Sequence, residues 1–95
     1  MIYVISYDIS SDRVRTKLAK LLEGYGVRIQ YSVFECKLTE KRFKKLYKEV
    51  FQLTEKESEG SVRFYFLCQS CEGKIITIGK PLNTLEIMKK DVIII

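Results

Sequence analysis

Ile2-Tyr3-Val4-Ile5-Ser6-Tyr7-Asp8-Ile9 is a β-branched and aromatic run interrupted by a single charge, and Ser10-Ser11-Asp12 behind it suits a turn or a helix start. It reads as a buried strand that carries Asp8 to its mouth. Alternation puts Tyr3, Ile5, Tyr7 and Ile9 on one face and Ile2, Val4, Ser6 and Asp8 on the other, so the carboxylate shares a face with small and aliphatic neighbours. A carboxylate there needs a partner or a metal, because a buried unpaired charge is expensive. Arg13 and Arg15, in the first turn of the next segment, are the nearest cations. On residue type alone an ion pair or a helix cap explains Asp8 better than catalysis does, because structural carboxylates at strand ends outnumber catalytic ones.

Outward from this strand, Val14, Leu18, Leu21, Leu22 and Tyr25 recur at helical spacing between a Ser10-Ser11-Asp12 cap and a stop at Gly24 or Gly26. Arg13, Lys17 and Lys20 form the solvated stripe of that helix. The segment Val27–Leu38 is long for one strand, and a kink at Gln30 to Ser32 makes it either two short strands or one bent one. Thr39 then caps a second helix with Phe43, Leu46, Tyr47, Val50 and Phe51 on its apolar face and Lys41, Lys44, Lys45 and Lys48 pointing away. Gln52 to Gly60 reads as an exposed loop, Ser61–Cys68 as a strand with Val62, Phe64, Phe66 and Cys68 on one side, and Lys74–Gly79 as a further strand.

This order predicts an α+β, ferredoxin-like βαββαβ fold: an antiparallel sheet with two helices on one face, plus extra C-terminal strand. Residues 1–80 form that domain, and 81–95 an arm ending in Val92-Ile93-Ile94-Ile95. A bare tail of that kind aggregates, so it is expected to pair with a sheet edge, that of a partner protomer included. The uncovered sheet face invites a second copy packed sheet on sheet, with like residues facing across a two-fold axis.

Composition narrows the chemistry. Seventeen Lys and Arg against 12 Asp and Glu give a net charge of +5, which suits an anionic partner such as nucleic acid. The chain has no histidine, which removes imidazole bases, Ser-His and Cys-His nucleophiles and His-containing zinc sites. Catalysis has to come from carboxylates, metal, Tyr or Lys. No stretch approaches a membrane span, and Met1–Ile9 lacks the flanks of a signal peptide, so a cytoplasmic protein without membrane association is expected. Three cysteines, Cys36, Cys68 and Cys71, speak against a disulfide framework. Cys68-x-x-Cys71 would need both chains of a dimer to make a Cys₄ zinc site, and it lacks the helix that a redox motif needs after its first Cys.

Tyr7-Asp8-Ile9 closing the first strand, Arg15-x-Lys17-Leu18 on the helix, and Tyr25-Gly26-x-Arg28-x-Gln30-x-Ser32-Val33-Phe34-Glu35 behind it, with an apolar C-terminal tail, resemble the small CRISPR-associated Cas2 proteins. The likeness runs nearly end to end. It implies a homodimer of the spacer-acquisition machinery, some members of which are magnesium-dependent endonucleases on single-stranded RNA or double-stranded DNA. Members of the family also bridge dimers of the CRISPR-associated integrase and hold the DNA to be inserted. By the same resemblance Asp8 is the metal-site aspartate, for Mg2+ or Mn2+, and Tyr7 is the aromatic before it. Arg15 and Arg28 match basic positions tied to nuclease activity, Phe34 the aromatic of the Ser-Val-Phe motif, and Lys17 stands where some members carry Arg, keeping charge without the bidentate fork. Magnesium needs only one or two protein carboxylates, and a two-fold axis would supply a second Asp8.

Two other classes fit the residues. A non-catalytic clamp would grip duplex phosphates through the basic helix faces and leave Asp8 structural. A small-molecule or metal sensor is admitted by the fold, but neither a Gly-rich phosphate loop nor a His ligand supports it.

Overall fold

The computed structural model describes residues 1–57, 60–68, 70 and 73–79. Six elements follow one another: β1 (Ile2–Ile9), α1 (Asp12–Glu23), β2 (Val27–Gln30), β3 (Val33–Lys37), α2 (Glu40–Thr54) and β4 (Gly60–Leu67). The strands form one antiparallel sheet in the order β2-β3-β1-β4, the ferredoxin-like arrangement, with β1 between β3 and β4.

The central strand sets the core. Tyr3, Ile5, Tyr7 and Ile9 are buried beneath the helices, Val4 and Ser6 are half-buried, and Asp8 is exposed at the end of the opposite face. Ile2, on that opposite face, is buried as well. Register carries the alternation across the sheet, with Ile5 opposite Phe34 on one side and Phe64 on the other.

Ser11 is the N-cap of α1 and its hydroxyl accepts from the Val14 N–H at 3.3 Å, while Gly24 closes the helix with its own N–H on the Leu21 and Leu22 carbonyls. Val14, Leu18 and Leu22 fall on one stripe and are buried. Thr39 caps α2 in the same way, accepting from the Arg42 N–H at 3.2 Å, and Leu46 and Val50 reach the core. Complete burial of Leu18, Leu22 and Leu46 contributes about 1.5–3 kcal/mol each.

Val27–Leu38 is a hairpin. β2 and β3 pair antiparallel around a turn at Tyr31-Ser32, with a register shift between Arg28 and Gln30. The approach to β2 passes so close to β3 that a Cβ on Gly26 would lie 2.4 Å from the Glu35 carbonyl oxygen, which requires glycine.

Three expectations are corrected. The α2 helix runs to Thr54, so the loop before β4 begins later than Gln52. Tyr47 and Phe51, on the helical apolar stripe, stay largely exposed, since β4 is the last strand of the sheet and no further strand among the described residues extends it. Residues 74–79 carry no strand in the single chain, and Ile76 and Ile78 face solvent. Cys71 and the arm 81–95 lie outside the described residues. Among those described, no helix is long and apolar enough to cross a membrane.

Candidate active site

The end of β1 is fastened from three directions. From α1, Arg15 donates through Nη1 to the Ile9 carbonyl at 2.8 Å and the Ser10 carbonyl at 3.4 Å, while Nη2 pairs with the Asp12 carboxylate. From the β2–β3 turn, the Ser32 carbonyl accepts the Tyr7 N–H at 3.0 Å and the Tyr31 carbonyl accepts the Tyr7 hydroxyl at 3.3 Å. From β4, Gly60 lies against Asp8 with φ +103°, and a Cβ there would sit 2.2 Å from the Asp8 carbonyl oxygen. The backbone of Asp8 is thus fixed while its side chain stands free.

Arg13 and Arg15, the expected counter-ions, do not neutralise it. Arg15 is the cation closest to the strand end, but the carbonyls of Ile9 and Ser10 and the carboxylate of Asp12 engage its guanidinium. Arg13 is exposed on the outer surface of α1. Among the described residues no cation pairs with Asp8, and because it is exposed no desolvation cost forces one to.

Asp8 opens onto a groove of about 600 Å³, within the size range of ligand clefts. Tyr7, Asp8 and Ile9 from β1, Arg15, Thr16, Ala19, Lys20 and Glu23 from α1, and Arg28, Tyr31 and Ser32 from the hairpin line it. Four sequence candidates therefore share one cleft: Tyr7, Asp8, Arg15 and Arg28. The other two do not line it. Lys17 is exposed on α1, and Phe34 is completely buried.

Phe34 nevertheless acts on the cleft from below. Its ring stacks with Tyr7 at 6.3 Å and carries the Arg28 guanidinium 5.2 Å above its centroid. Arg28 is half-buried, and its Nε is shut off from water without an acceptor. That N–H has no acceptor among the described residues, and closed to water it is closed to a ligand oxygen too, so Arg28 meets the groove through the rest of its guanidinium, which lines it.

Among the described residues no three Asp, Glu or Cys side chains gather as a ready-made metal cage. Asp8 is the free carboxylate at the strand end, with Glu23 the other acidic residue of the lining. That donor set fits a hard, hydrated cation such as Mg2+, which keeps most of its waters, and does not fit a closed structural site.

Away from the groove, Tyr25 donates to Glu49 Oε1 at 2.7 Å beneath the Arg42 guanidinium, tying the end of α1 to α2. The carboxylate acceptor, with burial, pushes the Tyr25 phenol above its ordinary pKa. Periodicity gives no signal for Tyr31. It falls in the stretch that reads as a kink, and only the turn sets it beside Asp8.

The family model for CRISPR associated protein Cas2 matches residues 1–75. A "CRISPR-associated endoribonuclease Cas2 1" of Chloroflexus aurantiacus is 48% identical over 79 residues, 83% of this chain and 85% of that protein. The crystal structure of Streptococcus pyogenes Cas2 at pH 6.5 superposes with a TM-score of 0.68 at 32% identity, covering 83% of this chain and 100% of the other. A chain of a partial Cas6-RT-Cas1–Cas2 complex superposes with a TM-score of 0.63 at 37% identity, over 73% of this chain and 75% of that one. With the fold and matches of this extent in agreement, the chain belongs to the CRISPR-associated Cas2 family.

Proposed function

We propose that this protein is a magnesium-dependent phosphodiester endonuclease of CRISPR spacer acquisition, acting on RNA or DNA as a homodimer. The carrying observation is the exposed Asp8, paired with no cation among the described residues, in one groove with the half-buried Arg28. The relatives named endoribonucleases support the reaction class, and the similar chain in a Cas1–Cas2 complex supports the integrase as partner.

In this reading Asp8, with Asp8 of the partner subunit, would hold the ion, and Mn2+ would serve in place of Mg2+. When bound, the cation supplies Lewis-acid polarisation of the phosphodiester and a water more acidic than bulk. Arg28 donates to a non-bridging oxygen as charge builds on it, in a site already organised by Phe34. Arg15 works indirectly, holding the carbonyls after Asp8 so that the carboxylate keeps its position. Tyr7 ties the hairpin to the strand and supports Phe34. Lys17, with the other helix cations, draws the polyanion in.

Asp8→Asn tests the site. The variant should remain dimeric and bind nucleic acid while its magnesium-dependent cleavage falls to background. Cleavage at the wild-type rate by a dimeric Asp8→Asn chain would remove Asp8 from the chemistry.

A second reading, a non-catalytic clamp that bridges integrase subunits, is favoured by the exposed Lys41, Lys44, Lys45 and Lys48 along α2. It requires duplex binding that weakens steeply with salt and is untouched by Asp8→Asn.

A further inference from the structure

We infer that Tyr31 is a stacking platform for one unpaired nucleobase of the strand whose phosphate lies in the Asp8–Arg28 groove. The inference rests on the nucleic-acid reading above and adds to it the side chain that would hold an unpaired base.

Tyr31 is 91% exposed, more than any other large apolar side chain in the described residues, and its ring meets no other ring there. Exposed aromatics at loop tips usually sit on loose backbone. This one does not: its carbonyl accepts the Tyr7 hydroxyl, and the carbonyl of the next residue accepts the Tyr7 N–H at 3.0 Å. Tyr7 is itself 4% exposed and stacked on Phe34. The core therefore fixes the backbone that carries an open π-face on the rim of the groove, so little backbone order remains to be lost on binding while the ring is free to turn onto a base.

The groove below it carries Arg28 and Lys20. With Arg15, Lys20 and Arg28 against Asp8 and Glu23 the lining keeps one net positive charge, and beside an aromatic rim on held backbone it matches the two halves of a nucleotide, phosphate below and base above. A base locked in a duplex offers its face to its neighbours and not to the protein. The pairing of ring and groove therefore selects single strands, flipped bases or frayed ends.

The chain has no tryptophan, so Tyr31→Trp introduces a single fluorescent reporter at the rim. Oligo(U) or oligo(dT) added to dimeric Tyr31→Trp should quench its emission, and a blunt, fully paired duplex should not. Tyr31→Ala should weaken single-strand binding about tenfold or more, the loss expected for one base stack, while Tyr31→Phe holds the wild-type value. Because no charge changes, the salt dependence should keep its slope. Wild-type single-strand affinity in Tyr31→Ala overturns the inference, as does an equal loss on duplex and single strand. So does indole emission that is already shielded in the dimer without nucleic acid, which would assign the ring to the subunit interface. Those three results leave cleavage at Asp8 standing. Failure of the wild-type protein to bind any single strand or duplex would remove this inference and the nucleic-acid reading together.

Discussion

At the residue scale the site is a matter of which charges are already satisfied. Arg15 and Arg28 look alike in the sequence, and resemblance gives both to catalysis, yet the first holds two main-chain carbonyls and the Asp12 carboxylate while the second has a buried Nε without an acceptor. Arg28→Ala should therefore cost about a hundredfold in cleavage rate with little loss of stability, since it removes charge stabilisation and relieves an unmet donor. Arg28→Lys should recover only part of the rate because an ammonium cannot reproduce the planar fork over Phe34. Rates on one defined oligonucleotide, beside denaturation midpoints, separate these effects. Cys36 provides a pH test remote from the groove. Burial pushes its thiol up from 9.0 to about 11, so the folded chain holds that proton more tightly than the unfolded one. Stability should be level below about pH 9 and decline as pH rises through 11, with Tyr25, shifted in the same direction, adding to the fall. Cys36→Val should flatten the part of that decline due to the thiol, measured as the urea midpoint against pH. Asp8 itself was legible as the charge in an apolar strand. Its lack of a counter-ion was not, because no spacing rule shows that the nearby arginine is already committed.

At the element scale the sequence was most readable where one face of a helix or strand meets the core. The Val14, Leu18 and Leu22 stripe, the Ser11 and Thr39 caps and the alternation of β1 all appear where the pattern puts them. Tyr47 and Phe51 obey the same 3.6-residue period and are exposed, since periodicity reports that a face is apolar and not that something lies against it. Lys74–Gly79 has strand composition without a strand, as pairing depends on an edge that the segment's own residues do not specify. The glycines divide more sharply. Gly24 has φ −75° and its nearest neighbour to an added Cβ is 3.4 Å away, so Gly24→Ala should leave stability unchanged or raise it by a few tenths of a kcal/mol. Gly60→Ala meets both a positive φ and the Asp8 carbonyl and should lose about 2–4 kcal/mol. Because the clash falls on the residue that carries the carboxylate, its cleavage rate at a temperature where it remains folded should drop more than the stability loss alone explains. Equal midpoints for the two variants would show that β4 yields freely at Gly60.

At the scale of the whole molecule, one chain leaves the proposed chemistry incomplete. The described residues hold no three-ligand metal cluster, and neither described helix lies across the sheet face that bears Val4, Ser6 and Asp8. Covering that face with a second copy would remove apolar surface from water and, through a two-fold axis, could set one Asp8 toward the other. Val4→Lys, which places a charge in the middle of the face without touching the helix side, should give a folded chain that sediments as a monomer and no longer cleaves. Sharing the ion has a quantitative consequence that mere dimerisation lacks. If wild-type and Asp8→Asn chains are unfolded together, refolded and allowed to pair at random, each dimer carries two, one or no carboxylates. When both carboxylates are required, activity follows the square of the wild-type fraction, so an equal mixture retains about a quarter of the activity. When each protomer works with its own Asp8, the same mixture retains about half, and the plot against composition is a straight line. Cleavage measured across the series with total chain held constant distinguishes the two curves. A straight line would assign the ion to a single protomer, with Glu23 as the remaining carboxylate of its groove, and would return the sheet face to a purely structural part in holding two chains together.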